Sequence, residues 1–370
     1  MFTRVFSEID LKAIKFNIDQ LRSLMPKGMK ILIPVKADGY GHGSIRVSQY
    51  IEKKKLAHML GVASLEEAVE LRNAGVTMKI LILGHILPKT KMYQTLIDYD
   101  LIQTVSDFDI AEKISNHCLK KKKTISLHLK VDTGMGRLGC TLDVAEETAY
   151  SISQLKGVTL DGIYTHLPVA DEDYDNFTQT QQQNFEDLIN NLNERNVSFS
   201  YTHCSNSAGA AYYDQKSFNM IRPGIMTYGY RPSYDLPSPI ELKPAMTLKS
   251  YIIYTKKVKA QTPLSYGHTY TTEKDTVIAT VAIGYGDGYN RLLSNRGKVL
   301  INNKLYPIAG RVCMDLLMVD LGDDWYEAGT EVTLFGKDLI TVNEVAQWTD
   351  TIPYEVTCRI AQRVPRIYHE

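Results

Sequence analysis

The residues best suited to chemistry sit where short apolar runs end. Lys36 follows Ile31, Ile33 and Val35 and opens the segment Lys36-Ala37-Asp38-Gly39-Tyr40-Gly41-His42-Gly43. A lysine set among apolar side chains loses hydration of its ammonium form, which leaves the amine nucleophilic nearer neutral pH. The glycines behind it let a ligand approach the backbone closely. The order is wrong for a P-loop, in which the glycines precede the lysine and Ser or Thr follows it. Lys130 and Asp132 close a second run, and Arg137 rides on Gly134-Met135-Gly136-Arg137-Leu138-Gly139, where a guanidinium suits bidentate capture of a carboxylate. His166, His203 and Arg222 end three further runs. Each alone has an ordinary explanation as a surface lysine or a satisfied structural histidine, but that explanation does not account for their shared position. After His203 comes Ser205-Asn206-Ser207-Ala208-Gly209, and after Arg222 comes Pro223-Gly224-Ile225, the kind of loop that binds phosphate through backbone N–H groups and a hydroxyl such as Ser207. A reactive lysine across from a phosphate pocket points to pyridoxal 5'-phosphate held as a Schiff base.

Such a set needs a scaffold that gathers the ends of many strands. Apolar runs at 30–35, 59–63, 79–83, 101–105, 125–131, 159–164, 199–203 and 218–222 alternate with amphipathic stretches. The clearest helix is 64–74, where Ser64 and Glu67 match a capping box and Gly75 supplies the left-handed stop. A second spans 180–195, with Phe185, Leu188, Ile189 and Leu192 at helical spacing. A doubly wound open sheet shows the same alternation, and the count of eight strands selects a (β/α)8 TIM barrel, in the α/β class. Beyond residue 242 the pattern changes to strands at 277–283, 298–301, 317–321 and 331–335, broken by Gly, Asn and Asp turns, with one helix at 342–348. The proline-bearing stretch 231–244 reads as a linker. The expected layout is a barrel over 11–240 and a mostly β domain over 241–370.

Composition narrows the partners. The chain has 370 residues, with 42 Lys plus Arg against 42 Asp plus Glu, and this balance removes the usual reason to expect nucleic acid or an anionic membrane surface. The lysine runs at 53–55 and 120–123 are short enough to be solvated helix ends. Five scattered cysteines form no Cys-x-x-Cys pair and no disulfide or metal-ligand pattern, so no metal is expected. Without an apolar leader at the start or a run approaching 20 apolar residues, the reading is a cytoplasmic protein acting on a small molecule.

These motifs, with Ser265-Tyr266-Gly267, Gly284-Tyr285-Gly286-Asp287-Gly288 and Arg311-Val312-Cys313-Met314-Asp315, make the chain similar to the alanine racemase family, a fold-type III pyridoxal-phosphate group. The resemblance runs from Ser7-Glu8-Ile9-Asp10 to Arg363-Val364-Pro365-Arg366. It implies that residues 1–10 add a strand to the β domain. It also implies a head-to-tail homodimer that interconverts L- and D-alanine, presumed to supply D-alanine for peptidoglycan. Lys36 would hold the cofactor and serve as acid/base on one face of Cα. Tyr266, from the partner subunit and assisted by His166, would serve on the other. Arg222, supported by His203, would lie against the pyridine nitrogen. Because Arg stays protonated, that nitrogen would not be, and the ring would be a weaker electron sink. Arg137 would bind the cofactor phenolate and the substrate carboxylate, backed by Lys130, commonly carbamylated in this family. Tyr40, Ser207, Gly224 and Ile225 would hold the phosphate, and Met314 would meet the substrate carboxylate through its N–H. Tyr285, Arg291, Arg311 and Asp171 would line the approach.

Two positions depart from the family pattern. Gln362 stands where a tyrosine is more frequent, one that helps grip the phosphate and walls the substrate. A smaller, polar residue there would open the site to a hydroxyl-bearing substrate such as serine, making a serine or broader amino-acid racemase the nearest rival. Leu167-Pro168 replaces a frequent Phe-Ala. A decarboxylase on the same barrel is a wider rival. A non-catalytic pyridoxal-phosphate carrier is a third, weakened by the β domain with its Tyr266 and Met314, since such carriers resemble the barrel alone.

Overall fold

Short, fully buried apolar strands alternating with one-sided helices can satisfy every backbone group by curling into a closed parallel sheet, and the chain does so. The computed structural model describes residues 3–172, 176–232, 238–337 and 339–370. Its strands in chain order are β1 (Val5–Asp10), β2 (Lys30–Pro34), β3 (Met59–Val62), β4 (Lys79–Ile82), β5 (Ile102–Val105), β6 (Ile125–Asp132), β7 (Cys140–Thr141), β8 (Val158–Tyr164), β9 (Tyr201–His203) and β10 (Met220–Ile221) in the first part. They continue with β11 (Met246–Val258), β12 (Pro263–Leu264), β13 (Tyr270–Thr271), β14 (Thr276–Val281), β15 (Lys298–Ile301), β16 (Lys304–Pro307), β17 (Leu317–Gly322), β18 (Glu331–Phe335) and β19 (Arg366–His369).

The barrel follows the parallel order β10-β2-β3-β4-β5-β6-β8-β9, with the two-residue β7 paired to the end of β6. The seam between β9 and β10 is closed around Asn219. Its N–H donates to Thr202 O (3.1 Å), its Oδ1 accepts from Thr202 N (2.9 Å), and Arg222 N donates to Ser205 O (2.9 Å). Leu32, Met59, Leu81, Ile102, Tyr201 and Met220 pack as a separate cluster contributed by six of the strands, a layer filling the lumen. Their neighbours Ile31, Ile33, Leu60 and Ile80 point the other way, into the large core under the helices.

The second sheet runs β16-β15-β18-β11-β1-β19, and β11 also pairs with β14, which pairs with β17. β11 pairs with three strands, with β1 along its first half, β14 along its second and β18 on the other edge, and its register against β14 shifts between Ile252 and Tyr254, a bulge that bends the strand. β1 lies antiparallel to β11 and parallel to β19, so both ends of the described chain join this sheet. Asp10 then caps the first barrel helix, Leu11–Ser23, by accepting from Ala13 N (3.0 Å). The buried carboxylate of Asp287 is held by Arg4 (2.7 Å) and Arg363 (2.8 Å), tying β1, the Tyr285–Asp287 turn and the C-terminal segment together.

The helix expected at 64–74 is Leu65–Asn73, with Ser64 Oγ accepting from Glu67 N and Gly75 left-handed at φ 84°. The capping box is only half formed, because the Glu67 carboxylate bonds elsewhere. The helix at 180–195 begins earlier, as Phe177–Glu194. Part of the stretch read as a linker, residues 233–237, lies outside the described residues. Its later part is pinned by buried Asn17, which donates to Lys243 O (2.8 Å) and accepts from Lys243 N (2.8 Å). No helix among the described residues is long and apolar enough to cross a membrane.

Candidate active site

At the carboxyl ends of the barrel strands lies a cavity of about 510 Å³. Lys36, Tyr40, Lys130, Arg137, His166, Ser207, Arg222 and Gly224 all line it, joined by Tyr164, Asn206, Tyr354 and Cys358. The residues following β2 make an unusual turn. Ala37, Asp38, Gly39 and Tyr40 all have positive φ (52°, 53°, 62° and 55°). Left-handed backbone costs roughly 1–2 kcal/mol for each non-glycine residue, so this turn must be held from outside. Asp38 Oδ1 accepts from Ser44 N, and Glu67 Oε1 accepts from Ala37 N, each at 2.8 Å. The turn sets Lys36 into the cavity. Burial, and then the nearby Arg137 guanidinium, lower the pKa of its amine.

Lys130 ends β6 with its amine 5.5 Å from the centre of the Tyr164 ring. Burial and the facing Arg222 and Arg137 bring its pKa down to about 8. Asp132, on the same strand end, does not face a ligand. It accepts from the N–H groups of Gly134, Met135 and Gly136 (2.9, 2.8 and 3.1 Å), shaping the loop that carries Arg137. Burial opposes ionisation of that carboxyl, and the three donors outweigh it and hold its pKa below the usual value.

Arg222 is buried and held by several hydrogen bonds. It donates to Thr165 O (2.7 Å), Cys204 O (2.9 Å) and His203 Nδ1 (2.8 Å), and lies 3.3 Å from His166 Nδ1. A guanidinium only donates, so both imidazoles accept at Nδ1 and carry their proton on Nε2. His203 then donates from Nε2 to His128 Nδ1 (3.1 Å) inside the barrel. Burial, and then Arg222, push the pKa of His166 and of His203 well below the usual imidazole value, so both are neutral at pH 7. Tyr164 stacks flat on His203 at 4.7 Å. Gly162 makes room for His128, since a Cβ there would meet the His128 ring at 2.5 Å.

The far wall is a cradle of small groups. A Cβ on Gly224 would stand 2.5 Å from the Tyr40 hydroxyl, so bare backbone faces that oxygen. Ser207 opens the helix Ser207–Tyr212 and accepts from Met226 N at 3.3 Å. Ile225 is wholly buried and can offer only its backbone. The Tyr40 ring stacks on Tyr228 (5.0 Å) and tilts against Tyr354 (6.0 Å).

The β-domain residues fall elsewhere. Within one chain Tyr266 is 70% exposed, Met314 and Tyr285 are exposed, and none lines the cavity. Ser265 holds the Tyr266 turn at φ 64° with its hydroxyl on Arg311 O (2.8 Å), and Arg311 packs against Gly267. Tyr285 and Arg291 line a separate hollow with Arg359. Asp171 sits near Tyr354, where burial raises its carboxyl pKa. Gln362 corrects an expectation, because its side chain is exposed and outside the cavity. The helix Pro353–Cys358 instead brings Tyr354 to the wall, while the chain after it turns back, with Ala361 N on Asp287 O and Arg363 on Asp287. A proline at the first helical position followed by tyrosine was the available signal for that helix.

A (β/α)8 barrel presenting a cavity lined by lysines, arginines and a cradle of small groups, joined to a β domain, is an α/β enzyme architecture. Family models for the alanine racemase N-terminal domain and C-terminal domain match residues 9–232 and 245–368, and the chain belongs to the alanine racemase family. It is 42% identical over 369 residues to an alanine racemase of Desulforamulus reducens, covering 98% of each chain. An alanine racemase structure from Clostridium difficile 630 superposes with a TM-score of 0.95 at 36% identity, covering 100% of this chain and 97% of that one. A complex of the Clostridium difficile 630 enzyme with cycloserine gives a TM-score of 0.92 at 34% identity, covering 100% and 96%.

Proposed function

We propose that this chain is a pyridoxal-phosphate-dependent isomerase that interconverts L- and D-alanine, acting as a homodimer in the cytoplasm and supplying D-alanine for peptidoglycan. The observation that carries the reading is the gathering, in one cavity, of the Lys36 amine, the Tyr40–Ser207–Gly224 cradle and Arg222. These groups fit the cofactor. The cradle offers a hydroxyl on each side of a glycine that a Cβ would fill, and Lys36 has the lowered basicity needed to bond an aldehyde carbon. Ile225 N–H and Tyr354 complete the phosphate end, and Gln362 is left out.

The bound cofactor supplies an electron sink that acidifies the Cα–H of an attached amino acid. Arg222, permanently charged, would offer the cofactor's ring nitrogen a donor rather than an acceptor, which would leave that nitrogen unprotonated. His203 and His128 behind it fix its orientation. Arg137, on the cavity wall, would meet the substrate carboxylate. Lys130 has a substantial uncharged fraction near its pKa of about 8, and an uncharged amine adds CO2 to give a carbamate with loss of a proton. The resulting anion would lie between Arg137 and Arg222.

Racemisation needs proton carriers on both faces of Cα. Lys36 is one. The other is the partner subunit's Tyr266, since in its own chain that ring faces solvent. Neutral His166 carries its proton on Nε2, so toward the tyrosine oxygen it can only donate a hydrogen bond. With Tyr354 walling the cavity, the case for a serine preference loses its basis. Chiral separation after incubation with L-alanine or L-serine tests the reading. Faster formation of D-alanine supports it, and CO2 release without D-alanine, or bound cofactor without turnover, would overturn it.

A further inference from the structure

Ser64 and Glu67 have the sequence of a reciprocal cap, in which the glutamate would return to Ser64 N. Its carboxylate goes instead to two other N–H groups. Oε2 accepts from Ala63 N (2.6 Å) and Oε1 from Ala37 N (2.8 Å). Ala63 follows β3 and Ala37 follows β2, so one side chain ties two adjacent strand-end loops, both of which line the cavity. Ala37 is the residue next to Lys36 and the first of the four left-handed positions.

We propose that Glu67 is a positioning residue for Lys36, its carboxylate fixing the left-handed turn at Ala37 N and offsetting the cationic surroundings of the Lys36 amine. The two N–H groups are met by different oxygens of the carboxylate, and an amide in the same place would offer an oxygen to only one of them. Among the described residues, the titratable and charged groups facing Lys36 include Arg137, Arg222, Lys130, His166, Cys358 and Glu67, and of these Glu67 is the carboxylate, favouring the ammonium form. Glu67 is half-buried at the start of a helix that keeps its Ser64 cap without it. The inference rests on the reading that Lys36 holds the cofactor, and its first test does not depend on that reading.

Hydrogen–deuterium exchange of the full-length protein, followed by mass spectrometry of the peptide spanning residues 36–43, compares wild type with Glu67→Gln and Glu67→Ala. Glu67→Gln keeps one acceptor and should speed exchange in this peptide by about tenfold, the effect of one lost hydrogen bond, with Glu67→Ala faster still and the other barrel peptides unchanged. Release of bound cofactor should quicken in the same order. In the cofactor-stripped full-length chain, the pH midpoint for acylation of Lys36 should fall in Glu67→Gln, because a negative charge favouring the ammonium is gone. A helix cap with no role at Lys36 would leave that midpoint unmoved. Unchanged exchange at 36–43 in both variants, an unchanged midpoint in Glu67→Gln, or acceleration spread evenly across the barrel would each overturn the proposal. Because exchange is read without reference to turnover, it judges the clamp even if Lys36 proves not to carry the cofactor.

Discussion

Lys36, Lys130, Arg137 and Arg222 line one cavity, where burial and the neighbouring guanidiniums make both lysines easier to deprotonate than a free lysine. This assigns the roles. The amines bond carbon or carry protons, and the guanidiniums orient anions. Lys36→Ala should abolish the absorbance near roughly 420 nm expected of pyridoxal phosphate bonded to a lysine, and persistence of that band would remove Lys36 from its role. Tyr266→Phe removes the oxygen on one face only. Exchange of the Cα proton in solvent deuterium should therefore collapse for one alanine enantiomer far more than for the other, and equal loss for both would rule against two separate bases. His166 sharpens the point, because an imidazole already accepting at Nδ1 has only an N–H to offer that tyrosine.

At the scale of elements, the barrel's interior geometry is set by one pairing of small and large. His128 on β6 fits only because β8 carries glycine opposite, at Gly162. Gly162→Ala should drive the ring off His203 and destabilise the protein by about 1–3 kcal/mol, the usual cost of overpacking, read as a lower urea midpoint. Most of the barrel was legible because buried parallel strands are continuous apolar runs, and the eight runs match the eight strands within a few residues. Other elements were hidden for definite reasons. β11 alternates Met246, Leu248, Ser250 and Ile252 inward, but buried Ser250 interrupts the apolar series and the bulge after Ile252 ends it. The helix Pro353–Cys358 is too short for a periodic pattern, so Tyr354 was missed and its expected role fell to Gln362, eight residues on. The left-handed turn carries Ala, Asp and Tyr at positive φ, where sequence alone would place glycine. Only a tertiary clamp such as Glu67 makes it tolerable.

The whole molecule answers to pH and to subunit assembly. His42, with a pKa of about 4, His128, at about 3, and His166 and His203, both well below the usual value, are depressed chiefly by burial, against an unfolded value of about 6.5. Below pH 6.5 the unfolded chain takes up protons that the folded chain refuses, so stability is complete above that pH and lost as pH falls toward the folded values. Each such histidine contributes up to about 1.4 kcal/mol per pH unit in that window. Asp161 and Asp171, whose pKa values are raised by burial, act in the opposite sense but are fewer. The urea midpoint should therefore hold steady between pH 7 and 8 and drop steeply by pH 5, and a midpoint insensitive to pH would contradict the neutral buried state. Assembly has its own test. One chain carries Lys36 at the barrel mouth while its Tyr266 stands exposed on the β domain, so the proposed two-base site would pair groups from two chains. Lys36→Ala and Tyr266→Ala should each be inactive alone. When the two are unfolded and refolded together, a mixed dimer pairs the intact Lys36 of one chain with the intact Tyr266 of the other at one of its two sites. Random pairing makes half the dimers mixed, so activity should return to about a quarter of wild type. No recovery, with dimers verified by light scattering, would mean that each chain completes its own site.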